Sequence, residues 1–136
     1  MSLKPDVDQP DAEQPSGDLT LRTLTMPRDV NNNGDIFGGW VLSQMDMAAG
    51  IVAAARAHGR VATVAIDAMQ FIRPVRVGDV LCIYVKIARV GRTSMGLEIE
   101  AWVLRNRQSQ REKVTEGLFT FVAIDEAGKP RPLPDE

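Results

Sequence analysis

Residues 38–57 restrict the fold more than any other stretch. From Trp40 to about Ala57 the apolar residues Val41, Leu42, Met45, Ala48, Ala49 and Val52 recur at spacings of three and four, the pattern of a helix. The opposite face is apolar too, with Met47, Ile51, Ala54 and Ala55, so Asp46 and Arg56 are the two charges between Gly38 and Ala57. A helix without a polar face belongs inside a protein, and other elements must wrap around it. His58-Gly59 ends it, with glycine expected as the C-terminal cap.

The remainder reads as strands. Leu19, Leu21 and Thr23 alternate with Thr20, Arg22 and Leu24 until Pro27 stops the pattern, and "MPRDVNNNGDIFGG" is a loop rich in turn residues. After the helix come "VATVAIDAMQFI" (61–72), "VLCIYVKIARV" (80–90), "SMGLEIEAWVL" (94–104) and "KVTEGLFTFVAI" (113–124), separated by turns at "GRT" and "NRQSQRE". Strand, helix, then four strands predicts an α+β domain in which a curved antiparallel sheet wraps one long central helix. The domain is expected over residues 19–126, between a disordered acidic N-terminal arm (1–18) and a proline-rich C-terminal tail (127–136).

The 136 residues suit one domain with its own core. No apolar run approaches the ~20 residues of a membrane-spanning helix, and no basic-then-apolar leader opens the sequence, so the cytoplasm is the expected compartment, without membrane insertion. A single Cys82, in an apolar strand, excludes an internal disulfide and reads as a small buried hydrophobe. The net charge of −2 is unevenly spread: residues 1–18 hold five acids against Lys4, while residues 60–113 hold ten bases against five acids. The basic segment is either a polyanion-binding surface or a set of solvated strand faces and loops. No recognisable nucleic-acid motif accompanies it, and no nucleic-acid partner is expected.

Asp46 is the outlier. It has Leu42, Ser43, Ala49 and Gly50 at its i−4, i−3, i+3 and i+4 positions, so no cation on its own helix can neutralise it. A desolvated, unpaired carboxylate has its pKa pushed upward, which tunes a general base towards neutral pH; the competing reading is an acid at a subunit seam, bonded to backbone amides. Gly38-Gly39 stands where the first helical N–H groups lack acceptors and the macrodipole is positive, a place that can hold a developing oxyanion or simply a tight turn. Gly39 and Asp46 are about 10 Å apart along the axis. If both serve one carbonyl, they come from two subunits with antiparallel helices, and Gly50, Ala53, Ala54 and Ala57 form a small-residue face on which those helices could meet.

The blocks "MPRDVNNNGDIFGGWVLSQMDMAAG", "FIRPVRVGD", "VGRTS" and "FTFVAIDEAGKPRPLP" resemble, in order and spacing, the YciA-like acyl-CoA thioesterases of the hotdog superfamily, from about residue 19 to residue 134. The resemblance implies a hotdog fold, a homodimer as the minimal active unit assembled to a hexamer, and hydrolysis of an acyl-CoA thioester to a free acid and coenzyme A. It implies Asp46 as the catalytic carboxylate, acting as base on water or as nucleophile, and Asn31 of the neighbouring subunit placing water or thioester. It also implies that Gly91, Arg92, Thr93 and Ser94 contact coenzyme A.

A Gly-Arg turn offers amides and a guanidinium to phosphate oxygens, and Arg73 and Arg76 are further candidates for that polyanion. A backbone N–H near Gly39, beside Gly38, would polarise the carbonyl, and the acyl chain would lie along Phe37, Val41, Phe71, Ala49 and Ala53. No cofactor is expected beyond coenzyme A as part of substrate and product. His58, the single histidine, suits a helix cap better than catalysis. No Cys/His metal cluster or phosphate-binding GxxxxGK[ST] loop appears, so no metal site is expected. The rival reading is a non-catalytic acyl-CoA sensor on the same fold.

Overall fold

A twenty-residue helix, α1 (Gly38–Ala57), lies against one antiparallel sheet of five strands: β1 (Asp18–Leu24), β2 (Val61–Phe71), β3 (Val80–Val90), β4 (Ser94–Leu104) and β5 (Arg111–Ala123). The computed structural model describes residues 14–105 and 111–135; most of the expected arm and of the "NRQSQRE" turn lies outside them. The strands are ordered β1-β3-β4-β5-β2, and the sheet curves so that α1 touches all five. This is the α+β arrangement of a curved sheet around one helix.

The core forms because one side of α1 is built from small or slender residues. Val41, Met45, Ala48, Ala49, Ala53 and Ala57 are buried against Leu81, Ile83 and Val85 of β3, Leu97, Ile99 and Ala101 of β4, and Phe119 and Phe121 of β5. Alanines let the helix sit close to the sheet, and the aromatic residues of β5 fill the space they leave. Burial of this apolar surface stabilises the domain by about 25 cal/mol per Å².

Two expectations for the helix need correcting. It is not buried on every side, since Met47 is 50% and Ile51 58% exposed along the face turned from the sheet. Of the small residues Gly50, Ala53, Ala54 and Ala57, Ala53 and Ala57 are fully buried against the sheet, while Gly50 and Ala54 are half-buried. At the C-terminus, His58 itself takes the left-handed conformation (φ 55°) expected of Gly59, and its N–H bonds back to Ala54 and Ala55. Gly59 is needed for a different reason: a Cβ there would lie 2.7 Å from Nη2 of Arg131, which donates to the Ala57 carbonyl at 3.0 Å.

β2 is an edge strand with two irregularities. Its pairing with β5 slips between Thr63 and Ala65 and again between Asp67 and Gln70, where Ala68 has φ 52°. Each extra residue reverses the alternation of side chains, so Thr63, Ile66 and Phe71, opposite Phe121, Phe119 and Thr115, all face the helix. The chain after β5 folds back: Ile124 bridges Pro130, Leu133 N–H donates to the Arg92 carbonyl at 2.8 Å, and Arg56 donates to the Pro134 carbonyl at 2.7 Å.

Candidate active site

Asp46 projects from the first half of α1 towards β2, where Thr63 Oγ1 donates to its Oδ1 at 2.7 Å. Contrary to the desolvated, unpaired carboxylate expected from the sequence, Asp46 is half-buried, with a hydroxyl on one oxygen. The donor arrives from a strand seventeen residues on, whose bulge keeps Thr63 on the helix side. The second oxygen, Oδ2, has no partner among the described residues and is available to a proton.

The start of α1 is bare. No side chain caps it and its first turn holds no acid, and the N–H groups of Gly38 and Gly39 have no acceptor among the described residues. Two free amides at the positive end of a helix make an anion-stabilising corner. Phe71 packs on it: a Cβ at Gly38 would lie 3.4 Å from the ring, so glycine allows the close approach of ring and backbone.

The loop before the helix is rigidly built. Asn31 Oδ1 accepts from the N–H groups of Asn33 (2.8 Å) and Asp35 (3.1 Å), and Asn31 N–H donates to the Asp35 carbonyl at 2.7 Å. This turn leaves the Asn31 NH2 group without a partner among the described residues. The loop leans on residues 75–79: Ile36 N–H donates to the Val75 carbonyl at 2.8 Å, and Asp35 bridges Arg76. Those residues are anchored by Asp79, buried and bonded to Arg105 Nη2 at 2.9 Å and to Arg76 N–H at 2.8 Å. Arg105 also donates to the Pro74 carbonyl at 3.0 Å, and the bond to Asp79 raises its pKa further above the ordinary arginine range.

Between this loop, the start of α1 and the end of β2 lies a cleft of about 270 Å³, lined by residues that include Asn31, Gly38, Val41, Phe71, Arg73 and Thr115. It brings together Asn31, Gly38, Phe71 and Arg73 of the expected site. Asp46 does not line it, nor do Phe37, which is exposed, or Ala49 and Ala53, which are sealed in the core. The 91–94 turn lies apart from that cleft, at the β3–β4 end, with Gly91 N–H donating to the Ser94 carbonyl at 2.7 Å. There Arg92 is exposed and Arg89 reaches Ser94 Oγ at 3.4 Å. Sequence reading missed Thr63, Arg89, Arg105 and Thr115. Thr63 and Arg105 find their partners 17 and 26 residues away, which no local pattern encodes; Arg89 meets Ser94 across the β3–β4 turn, and Thr115 looks like any strand threonine.

Comparison with known proteins agrees with this architecture. The family model described as "Thioesterase superfamily" matches residues 33–109. The acyl-CoA thioester hydrolase YciA of Escherichia coli (strain K12) is 54% identical over 125 residues, 90% of this chain and 95% of that protein. A hexameric thioesterase from Yersinia pestis superposes with TM-score 0.86 at 52% identity, over 90% of this chain and 100% of that one. A hexameric broad-specificity acyl-coenzyme A thioesterase, solved as an aspartate-to-alanine mutant enzyme, superposes with TM-score 0.85 at 50% identity over 88% of each chain.

Proposed function

The chain belongs to the thioesterase superfamily and, within it, to the YciA group of acyl-CoA thioester hydrolases, and on that footing we propose that it hydrolyses acyl-CoA thioesters to a free acid and coenzyme A, with Asp46 as the base. The observation that carries this reading is the Asp46–Thr63 bond: a lone carboxylate on an apolar helix, oriented through one oxygen with the other left free. The curated relatives are hydrolases, which favours catalysis over a non-catalytic sensor.

In this mechanism the free oxygen of Asp46 takes a proton from water as the water oxygen bonds to the thioester carbon. The carbonyl oxygen gains the negative charge, and the amides of Gly38 and Gly39 at the positive end of α1 stabilise it. The tetrahedral adduct then expels the coenzyme A thiolate, which takes up the proton. No cofactor enters the reaction.

A group about 10 Å along the helix from its own N-terminus cannot serve a carbonyl held there, so the working site combines Asp46 of one subunit with Gly38, Gly39 and Asn31 of another. The surface for that pairing is available. β2 is an eleven-residue edge strand with no proline, and it exposes Val64 and Ile66, while Met47 and Ile51 are exposed on α1. A second copy joined along β2 would continue the sheet and cover these residues, making a dimer the minimal unit, and the hexameric relatives support assembly of three such dimers. Among the cations, Arg92 at the exposed 91–94 turn suits the coenzyme A phosphates, with Arg89 beside it and Arg73 and Arg76 at the far loop. No helix of the described chain is long and apolar enough to cross a membrane, and a buried free cysteine suits a reducing cytoplasm.

The test is a thiol-release assay over a panel of acyl-CoAs with wild type and Asp46→Asn. The reading requires hydrolysis by wild type and a fall in kcat of about 10² or more in the variant, the scale of a lost positioned base. Equal turnover by the two proteins would remove Asp46 from the chemistry, and no turnover of any acyl-CoA would remove the reaction.

A further inference from the structure

Among the described residues, Thr115 Oγ1 is the one buried side-chain oxygen or nitrogen with no hydrogen-bond partner. The residue is fully buried on β5 and contributes to the wall of the 270 Å³ cleft. Its cross-strand partners are Phe71 on β2 and Ala101 on β4, so it stands on the helix-facing side of the sheet, next to the ring that covers Gly38. None of the polar side chains that share the cleft, Asn31, Asp35 and Arg73, bonds to it: Asn31 Oδ1 is held by two amides of its own loop, and Arg73 Nη1 donates to the Lys113 carbonyl at 2.7 Å.

An unpaired buried hydroxyl costs free energy that a valine of the same shape would avoid. Native proteins satisfy almost all such groups, and the exceptions point to a role or to a missing partner. Here the group belongs to the wall of a cleft that Gly38, at the bare start of α1, also lines. A carbonyl held by the Gly38 and Gly39 amides would send its acyl chain past Val41 and Phe71 towards Thr115. Asn31, Asp35 and Arg73 also line the cleft, but among the described residues Thr115 Oγ1 is its one buried polar side-chain atom without a partner, set among Val41, Phe71 and Val75, where it can tell one short acyl group from another of equal length.

We propose that Thr115 Oγ1 reads an oxygen substituent on the acyl chain, so that the preferred substrates include short acyl-CoAs carrying a hydroxyl or oxo group a few carbons from the thioester. A hydroxyl donates and accepts, so one side chain serves both. This inference rests on the thioesterase reading above and adds a substrate class to it.

The experiment compares kcat/KM for 3-hydroxybutyryl-CoA and butyryl-CoA in wild type, Thr115→Val and Thr115→Ser. The expected result is a ratio about tenfold lower in Thr115→Val, the scale of one lost hydrogen bond, and restored in Thr115→Ser, which keeps the hydroxyl and loses only the methyl. Thr115→Val should also melt at or above the wild-type temperature, because it removes an unsatisfied group from the core. A ratio within twofold of wild type in Thr115→Val overturns the proposal, and then water or nothing occupies the hydroxyl. A lower melting temperature overturns it as well, because the hydroxyl would then have a partner within the protein. The wild-type arm with butyryl-CoA separates the two levels: if it is hydrolysed, the thioesterase reading stands whatever the ratio does, and if neither substrate is hydrolysed both readings fall.

Discussion

Replacing Thr63 with valine removes the donor on Asp46 and leaves the shape of the strand intact. In the structure the Thr63 hydroxyl bonds Oδ1 at 2.7 Å, the single hydrogen bond to that carboxylate among the described residues. A bond to a charged acceptor contributes about 1.5 to 3 kcal/mol, and because Thr63 is exposed, water can replace part of it, so the lower figure applies. About 1.5 kcal/mol of lost orientation is roughly a tenfold fall in kcat. KM should hardly move, because Thr63 touches the base and none of the residues assigned to coenzyme A. Steady-state thiol release in the single variants and in Thr63→Val/Asp46→Asn is the assay. Since Thr63 acts through Asp46, the double variant should be no slower than Asp46→Asn alone. Wild-type kcat in Thr63→Val, or a full further tenfold loss in the double variant, would refute the assignment.

Arg92→Ala should raise KM for acyl-CoA about tenfold or somewhat more with kcat little changed, because a charge-assisted phosphate contact is worth ~1.5 to 3 kcal/mol; an unchanged KM, with Arg73→Ala or Arg76→Ala raising it instead, would move the phosphate site. Arg105→Ala leaves Asp79 buried without its cation, and urea unfolding should show a loss of about 3 kcal/mol, the low end for breaking a buried pair. The raised pKa of Arg105 means its contribution is complete below the ordinary arginine range and lost only above it, so that loss should be the same at about pH 7 and about pH 10. Gly59→Ala should cost about 1 kcal/mol in the same measurement, because the new methyl displaces Arg131 from the Ala57 carbonyl.

The helix, the five strands and their alternation could be read from one sequence because they are periodic and local. Which side of α1 meets the sheet could not, since a helix apolar all round gives no direction: Ala53 and Ala57 look as suited to a partner helix as to β-strands, and the structure buries them. Gly59 shows the same limit, because a glycine needed for a left-handed cap and one needed for the approach of Arg131 are written with the same letter. Asp46 and the Gly-Gly start of the helix stood out because each breaks a local rule. Thr63 did not, being one threonine in a strand that favours threonine, and its meaning depends on β2 passing α1 at the edge of the sheet.

The measurement that bears most directly on a site shared between subunits is complementation. Asn31→Ala and Asp46→Asn, each weakly active alone, are mixed in equal amounts, unfolded and co-refolded so that chains pair at random, with mixed dimers counted by native mass spectrometry. If Asn31 of one chain serves Asp46 of another, every mixed dimer has one site with both lesions and one with neither, and the mixture should recover about a quarter of wild-type activity. If each site is built within one chain, every site keeps a lesion, and activity at the mean of the two parents, with mixed dimers present, would contradict the account.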